Sequence, residues 1–161
     1  MEEILCKILS DFKVLAYKIH LMHVNMHTDL LLSYHPFLWE VYLYLEDQID
    51  DIMEDMSQLE YELPYSLKDL IAESDIMELR KCITDPKEMM PIVSKDLIVL
   101  ITNLQEGIEI AGGEEDEVEE TDEEDESKIF PDMVIQNNLI EYQKTLRKFE
   151  RKNRRMMDFG K

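Results

Sequence analysis

Apolar residues return every three or four positions along nearly the whole chain. Leu5, Ile8, Phe12, Leu15, Ile19, Met22 and Met26 form a first stripe, the spacing of one face of an amphipathic helix. A second runs through Leu38, Val41, Leu45, Ile49, Ile52, Met56 and Leu59. Pro36 reads as a first-turn residue of that helix, with residues 28–35 as a short turn before it. The third stripe is Met90, Val93, Leu97, Leu100 or Ile101, Leu104, Ile108 and Ala111. It opens on Asp85-Pro86-Lys87-Glu88, an N-cap followed by Pro at the first helical position and Glu at the third. Pro91 predicts either a kink or a later true start, and Gly112-Gly113 a stop. The fourth stripe, Ile135, Leu139, Tyr142, Leu146 and Phe149, is reached through Pro131 and closes near Gly160.

Four helices of about 25 residues each are the ingredients of an all-α four-helix bundle. The links differ. The one between the second and third helices, residues 61–85, holds Ser66-Leu67-Lys68-Asp69, the cap of a short extra helix over Leu67, Leu70 and Ile71. A link of that length lets the two halves run differently from a plain up-down-up-down bundle. Residues 112–130 read as an acidic loop, and no internal repeat is visible.

Composition narrows the class. The chain is 161 residues long and 45% hydrophobic, which fits one domain over 1–161 with a real core. Two cysteines, Cys6 and Cys82, cannot staple a disulfide scaffold. No apolar run reaches the roughly 18–20 residues that span a bilayer, and nothing at the start resembles a signal peptide, so the cytoplasm is the expected location. The formal net charge of −20 repels phosphate and attracts cations. It is uneven: Glu114 to Glu126 carries 11 acids in 13 residues, whereas residues 144–161 sum to +6.

All four histidines, His20, His23, His27 and His35, fall within 16 positions. Asp50 and Glu54 follow on the second helix, four apart and so on one face, with Glu46 and Asp47 one turn earlier. Imidazole nitrogen with carboxylate oxygen is a donor set for iron, zinc or manganese. The same residues have plainer roles. Such carboxylate pairs commonly form a solvated face, helical histidines are commonly packed or exposed, and His23 and His27 can pair at i,i+4.

Order and spacing go further. The stretch Ala16-Tyr17-Lys18-Ile19-His20-Leu21-Met22-His23-Val24-Asn25, then His35 twelve residues after His23, then Asp50-xxx-Glu54, resembles the Dps family, the mini-ferritins named as DNA-binding proteins from starved cells. Leu63-Pro64-Tyr65-Ser66-Leu67-Lys68-Asp69-Leu70 looks like that family's short helix between its second and third long helices. The specific part of the likeness is residues 16–76. The resemblance implies a ferritin-like bundle, a hollow shell of twelve subunits, and an iron-oxidising centre at a twofold interface. Carried over by position, it implies that His23 comes from one subunit and Asp50 and Glu54 from its partner, binding the first iron together. His35 matches a second histidine near the second iron. The implied chemistry is Fe(II) oxidation, preferably by hydrogen peroxide, with ferric mineral stored inside.

Two positions depart from the family. The Asp that normally stands four residues after the second histidine is Trp39, and the Trp that commonly follows the first is Val24. Indole cannot ligate iron, so the second iron is expected to bind weakly or not at all, unless Glu46 compensates. Trp39, Tyr42 and Tyr44 either pass electrons near the metal or simply pack. The acidic run reads as a solubilising loop. The resemblance alternatively places it beside a threefold channel, where its field draws in cations. The basic residues 144–155 complement the dipole of the last helix. The chain opens Met1-Glu2-Glu3 with no Lys-rich arm, so DNA binding by that route is not expected. Two rivals stay open: a shell without efficient oxidation that sequesters metal or holds DNA or another partner, and an acidic helical protein that mimics DNA.

Overall fold

The computed structural model describes residues 1–27, 31–113 and 126–159. Among them are five helices and no strand: α1 (Glu2–Asn25), α2 (Leu31–Gln58), α3 (Leu67–Glu73), α4 (Pro86–Gly112) and α5 (Glu126–Phe159). The four predicted stripes all turn inward. Ile8, Phe12, Leu15 and Ile19 of α1 meet Leu38, Leu45 and Ile52 of α2, Leu97 and Leu104 of α4, and Leu139 and Leu146 of α5 in one core.

Contacts fix the direction of each helix. His23 meets His35 and His20 meets Tyr42, so α1 and α2 are antiparallel. Ser94 bonds Glu150 and Asn153 bonds Met90, so α4 and α5 are antiparallel too. Asp11 bonds Asn103 and Lys18 pairs with Asp96, so α1 opposes α4. It follows that α2 and α4 run the same way. The long link with α3 makes this crossover possible, as its length predicts. Ser66 caps α3 by accepting from the Asp69 N–H, and Asp85 caps α4 by accepting from the Lys87 N–H. Gly113 ends α4 at φ 70°, a conformation glycine adopts without strain.

Two expected boundaries are corrected. α2 begins at Leu31, so residues 31–35 are helix rather than turn and His35 lies inside it. α5 begins at Glu126, so residues 126–130 are helix rather than loop. The rest of the acidic run, residues 114–125, lies outside the described residues. Both errors share a cause. Proline stands sixth in α2 (Pro36), in α4 (Pro91) and in α5 (Pro131), not in the first turn. For α2 the loss of one backbone bond near the helix start is outweighed by helical geometry that buries Tyr34 and Phe37. α4 runs from Pro86 through Pro91, so Pro91 is not its start.

Polar residues also enter the core. The buried carboxylate of Asp11 accepts from Asn103 Nδ2 at 2.6 Å, Ser74 Oγ at 2.8 Å and the Asp75 N–H at 2.8 Å. Burial nevertheless raises its pKa, against those bonds. Seven residues on, Lys18 Nζ lies 2.6 Å from Asp96 and donates to the Met77 carbonyl at 2.7 Å. Two polar rungs therefore tie α1 to α4, and each also grips the crossover between residues 74 and 77.

Candidate metal centre

α1 and α2 lie side by side where their polar faces meet. The antiparallel pairing sets His23 over His35, with ring centroids 3.7 Å apart, and sets His20 over Tyr42 at 4.4 Å, the two rings stacked. Trp39 fills the middle, 5.1 Å from His23, 6.3 Å from His20 and 5.3 Å from Tyr42. Three of the four histidines thus form one cluster. His27 does not join it. It is exposed beyond the end of α1, its backbone N–H bonded to the Thr84 carbonyl at 3.0 Å.

The tautomer of His23 follows from its partner. Nδ1 lies 3.2 Å from the His35 backbone carbonyl. A carbonyl only accepts, so Nδ1 carries the hydrogen and Nε2 keeps the lone pair that a metal needs. Burial lowers the His23 pKa and the neighbouring His35 and His20 lower it further, against that hydrogen bond. The ring is therefore neutral at pH 7.

Asp50 and Glu54 are exposed on α2, four apart on one face as their spacing predicts. They are not near the histidines of the same chain. At 1.5 Å per residue, Asp50 stands about 22 Å and Glu54 about 28 Å along the axis from His35. Among the described residues, no three His, Cys, Asp or Glu side chains converge to hold a metal ion. Carboxylates crowd this stretch of α2. Asp51 is raised first by burial and then by Asp47, Asp55 and Asp50, the mark of uncompensated negative charge. Asp55 accepts from Asn138 at 2.9 Å. Glu46 is on the edge of a groove of about 480 Å³ that also touches Tyr17, His20, Tyr42, Leu67 and Ile71. Tyr44 stands apart from Trp39 and Tyr42. It packs edge-on against Phe149 of α5 at 5.4 Å, and burial pushes its hydroxyl up to about 12.

The chemistry available in one chain is therefore half of a centre at each place: an imidazole with a directed lone pair, and two adjacent carboxylates out of its reach. The sequence reading missed Asp11, Asp96 and Asn103 as buried polar residues. Their signal was present, since Asp11 and Lys18 interrupt one apolar stripe seven residues apart, and Asp96 and Asn103 interrupt another.

Comparison with known proteins adds three findings. A model of the ferritin-like domain matches residues 2–121. No curated protein sequence matches the chain. Similar solved structures include the antigen TpF1 from Treponema pallidum, with a TM-score of 0.82 and 21% identity, covering 97% of this chain and 90% of that one. Dps from Staphylococcus aureus gives 0.81 and 18%, covering 97% and 93%. The DPS protein from Vibrio cholerae O1, described as a member of a broad superfamily of ferritin-like diiron-carboxylate proteins, gives 0.81 and 16%, covering 97% and 87%. At such identities the likeness to these structures establishes a shared fold.

Proposed function

Since this chain belongs to the ferritin-like domain family and has the fold of Dps proteins, we propose that it binds and oxidises Fe(II) at a centre shared by two copies. Hydrogen peroxide is the oxidant: two Fe(II) give up one electron each, and the peroxide takes both electrons and two protons to become two waters. The ferric product is stored in a shell of twelve copies in the cytoplasm, which removes iron and peroxide together and protects against oxidative damage.

One observation carries this reading. His23 presents a fixed Nε2 lone pair, while Asp50 and Glu54 stand about 22–28 Å away along α2. A common ion needs its donors within about 2.0–2.2 Å, so these three residues meet only across two chains. The surrounding surface supports such a contact. Tyr17 and Val24 on α1, Trp39 and Leu43 on α2, and Leu67 and Ile71 on α3 are all exposed large apolar side chains, and an apolar face of that kind marks an interface. His35, its ring tilted against that of His23 at 3.7 Å, is the residue proposed to serve a second ion. Iron is cargo and substrate here. Zinc and manganese suit the same donors.

A second reading is favoured by Trp39. An indole occupies the space beside His23 where a carboxylate would complete the second ion's ligands, so the shell would sequester metal, or hold a partner, without efficient oxidation. Anaerobic Fe(II) titration followed by peroxide separates the two. Rapid stoichiometric oxidation that Asp50→Ala abolishes is expected. Equal rates in wild type and variant would favour the second reading. A particle of one subunit by sedimentation would sink the shared centre altogether.

A further inference from the structure

Trp39, Leu43, Glu46 and Asp50 form one exposed seam on α2. At 100° per residue they fall within about 60° of arc. Two of them carry polar groups that their own chain leaves unanswered. Among the described residues, the Trp39 indole makes ring contacts alone, with His20, His23 and Tyr42, and its Nε1–H donates to no acceptor. Among the same residues Asp50 has neither a cation nor a donor, and it stands beside Asp51, with Asp47 and Asp55 close by.

Symmetry brings these two side chains together. Given the shared centre proposed above, His23 of each copy meets Asp50 and Glu54 of the other, so the contact is isologous about a twofold axis. His23 stands level with His35 on α2. The level of His35 in one copy therefore coincides with the level midway between Asp50 and Glu54 in the other, and the two α2 helices run antiparallel. The axis crosses them beside Leu43. Trp39 then faces a level only about 3 Å along the helix from Asp50 of the partner subunit. Asp47 is nearer in height but lies about 80° around the helix from Trp39, whereas Asp50 lies about 20° from it.

The two groups are chemically complementary. An indole N–H donates and cannot accept. Covered by a second copy without an acceptor, it would lose its bond to water with nothing in return. A carboxylate has two oxygens, so one can hold an ion while the other accepts from the indole.

We propose that the Trp39 indole N–H donates to Asp50 of the partner subunit and holds that carboxylate in its ligating position. Trp39 is thus a positioning residue for the first ion, acting through the partner's Asp50. The bond needs no metal, so the two halves of the centre are aligned before an ion arrives.

The chain's single tryptophan makes this bond observable. The test uses the full, assembled, metal-free protein and ultraviolet resonance Raman, in which one indole band tracks hydrogen-bond donation by the N–H. Asp50→Ala should shift that band toward a weaker acceptor, and Asp47→Ala should leave it in place. By calorimetry, Trp39→Phe, which keeps a ring and loses the N–H, should weaken binding of the first Co(II) by at least about tenfold, the lower end of what outer ligands are worth. Sedimentation checks that each variant assembles; where Asp50→Ala does not, the Co(II) affinity of Trp39→Phe decides. A band unmoved by Asp50→Ala, a band that moves with Asp47→Ala instead, or unaltered Co(II) affinity in Trp39→Phe would overturn this inference alone, provided Co(II) binding still needs Asp50. A wild type that sediments as one subunit, or Co(II) binding indifferent to Asp50→Ala, would overturn the shared centre and this inference with it.

Discussion

Lys18 Nζ and the carboxylate of Asp96 lie 2.6 Å apart, with side-chain exposures of 6% and 7%. Water screens neither. Burial is the largest influence on Asp96 and raises its pKa, with Lys18 acting against it. Removing one partner leaves the other charged and unpaired. Lys18→Met should therefore cost about 3–5 kcal/mol of unfolding free energy in urea, partly through the lost bond to Met77. Lys18→Met combined with Asp96→Leu should recover much of it. A double variant as unstable as the single one would show that the pair itself, not the stranded charge, matters.

Asp11 predicts a pH dependence. Its carboxyl is raised from the ordinary 3.8 by burial, so the folded chain holds this proton more tightly than the unfolded chain does. Its contribution is complete below 3.8 and declines as pH rises through the raised value. Asp11→Asn has no such proton. The stability of wild type relative to that variant should fall as pH rises from below 3.8 through the raised value, measured by urea unfolding. A constant difference across that range would contradict the assignment.

Trp39 is the chain's single tryptophan and lies 5.1 Å from His23. Co(II) bound at His23 should quench its fluorescence, and His23→Ala should abolish the quenching. Trp39→Asp should raise affinity for a second Co(II) by at least the roughly 10–100-fold that even outer ligands are worth, read by calorimetric stoichiometry. Unchanged stoichiometry would mean that the indole is not what limits the centre.

Glu60 follows α2 at φ 59°, a left-handed conformation that glycine adopts without steric cost. The Tyr61 N–H reaches back to the Met56 carbonyl at 2.9 Å and the Glu60 N–H to Ser57 at 3.1 Å, closing the helix as a Schellman turn. Glu60→Gly should stabilise the protein by about 0.5–1 kcal/mol, the side chain's strain exceeding glycine's entropy cost. A loss of thermal midpoint would show that the strain is absent.

Much of the fold was legible because burial is periodic. The stripes from Leu5 to Met22 and from Val93 to Leu104 face the core as their spacing requires, and the caps Ser66 and Asp85 announce α3 and α4 chemically. The prolines misled because proline is rare inside helices, and only packing of Tyr34 and Phe37 shows why one is tolerated at position 36. The site was legible in part. The contact between His23 and His35 follows once two helices are paired, but no pattern in one sequence says that Trp39 lies between the two histidines and Tyr42. The proposed meeting of His23 with Asp50 involves two copies and is outside what one subunit can display.

The rungs at Asp11 and Lys18 do more than hold α1 beside α4. Both grasp the crossover, and both are spaced by the same two turns on each helix. A slide of one turn, about 5.4 Å, would unseat every one of their partners together, with no intermediate setting in which half of them survive. The relative height of the two helical hairpins is thus keyed like a lock with two wards: it is either correct or it is open. Any surface that assembles from both hairpins inherits that all-or-none alignment.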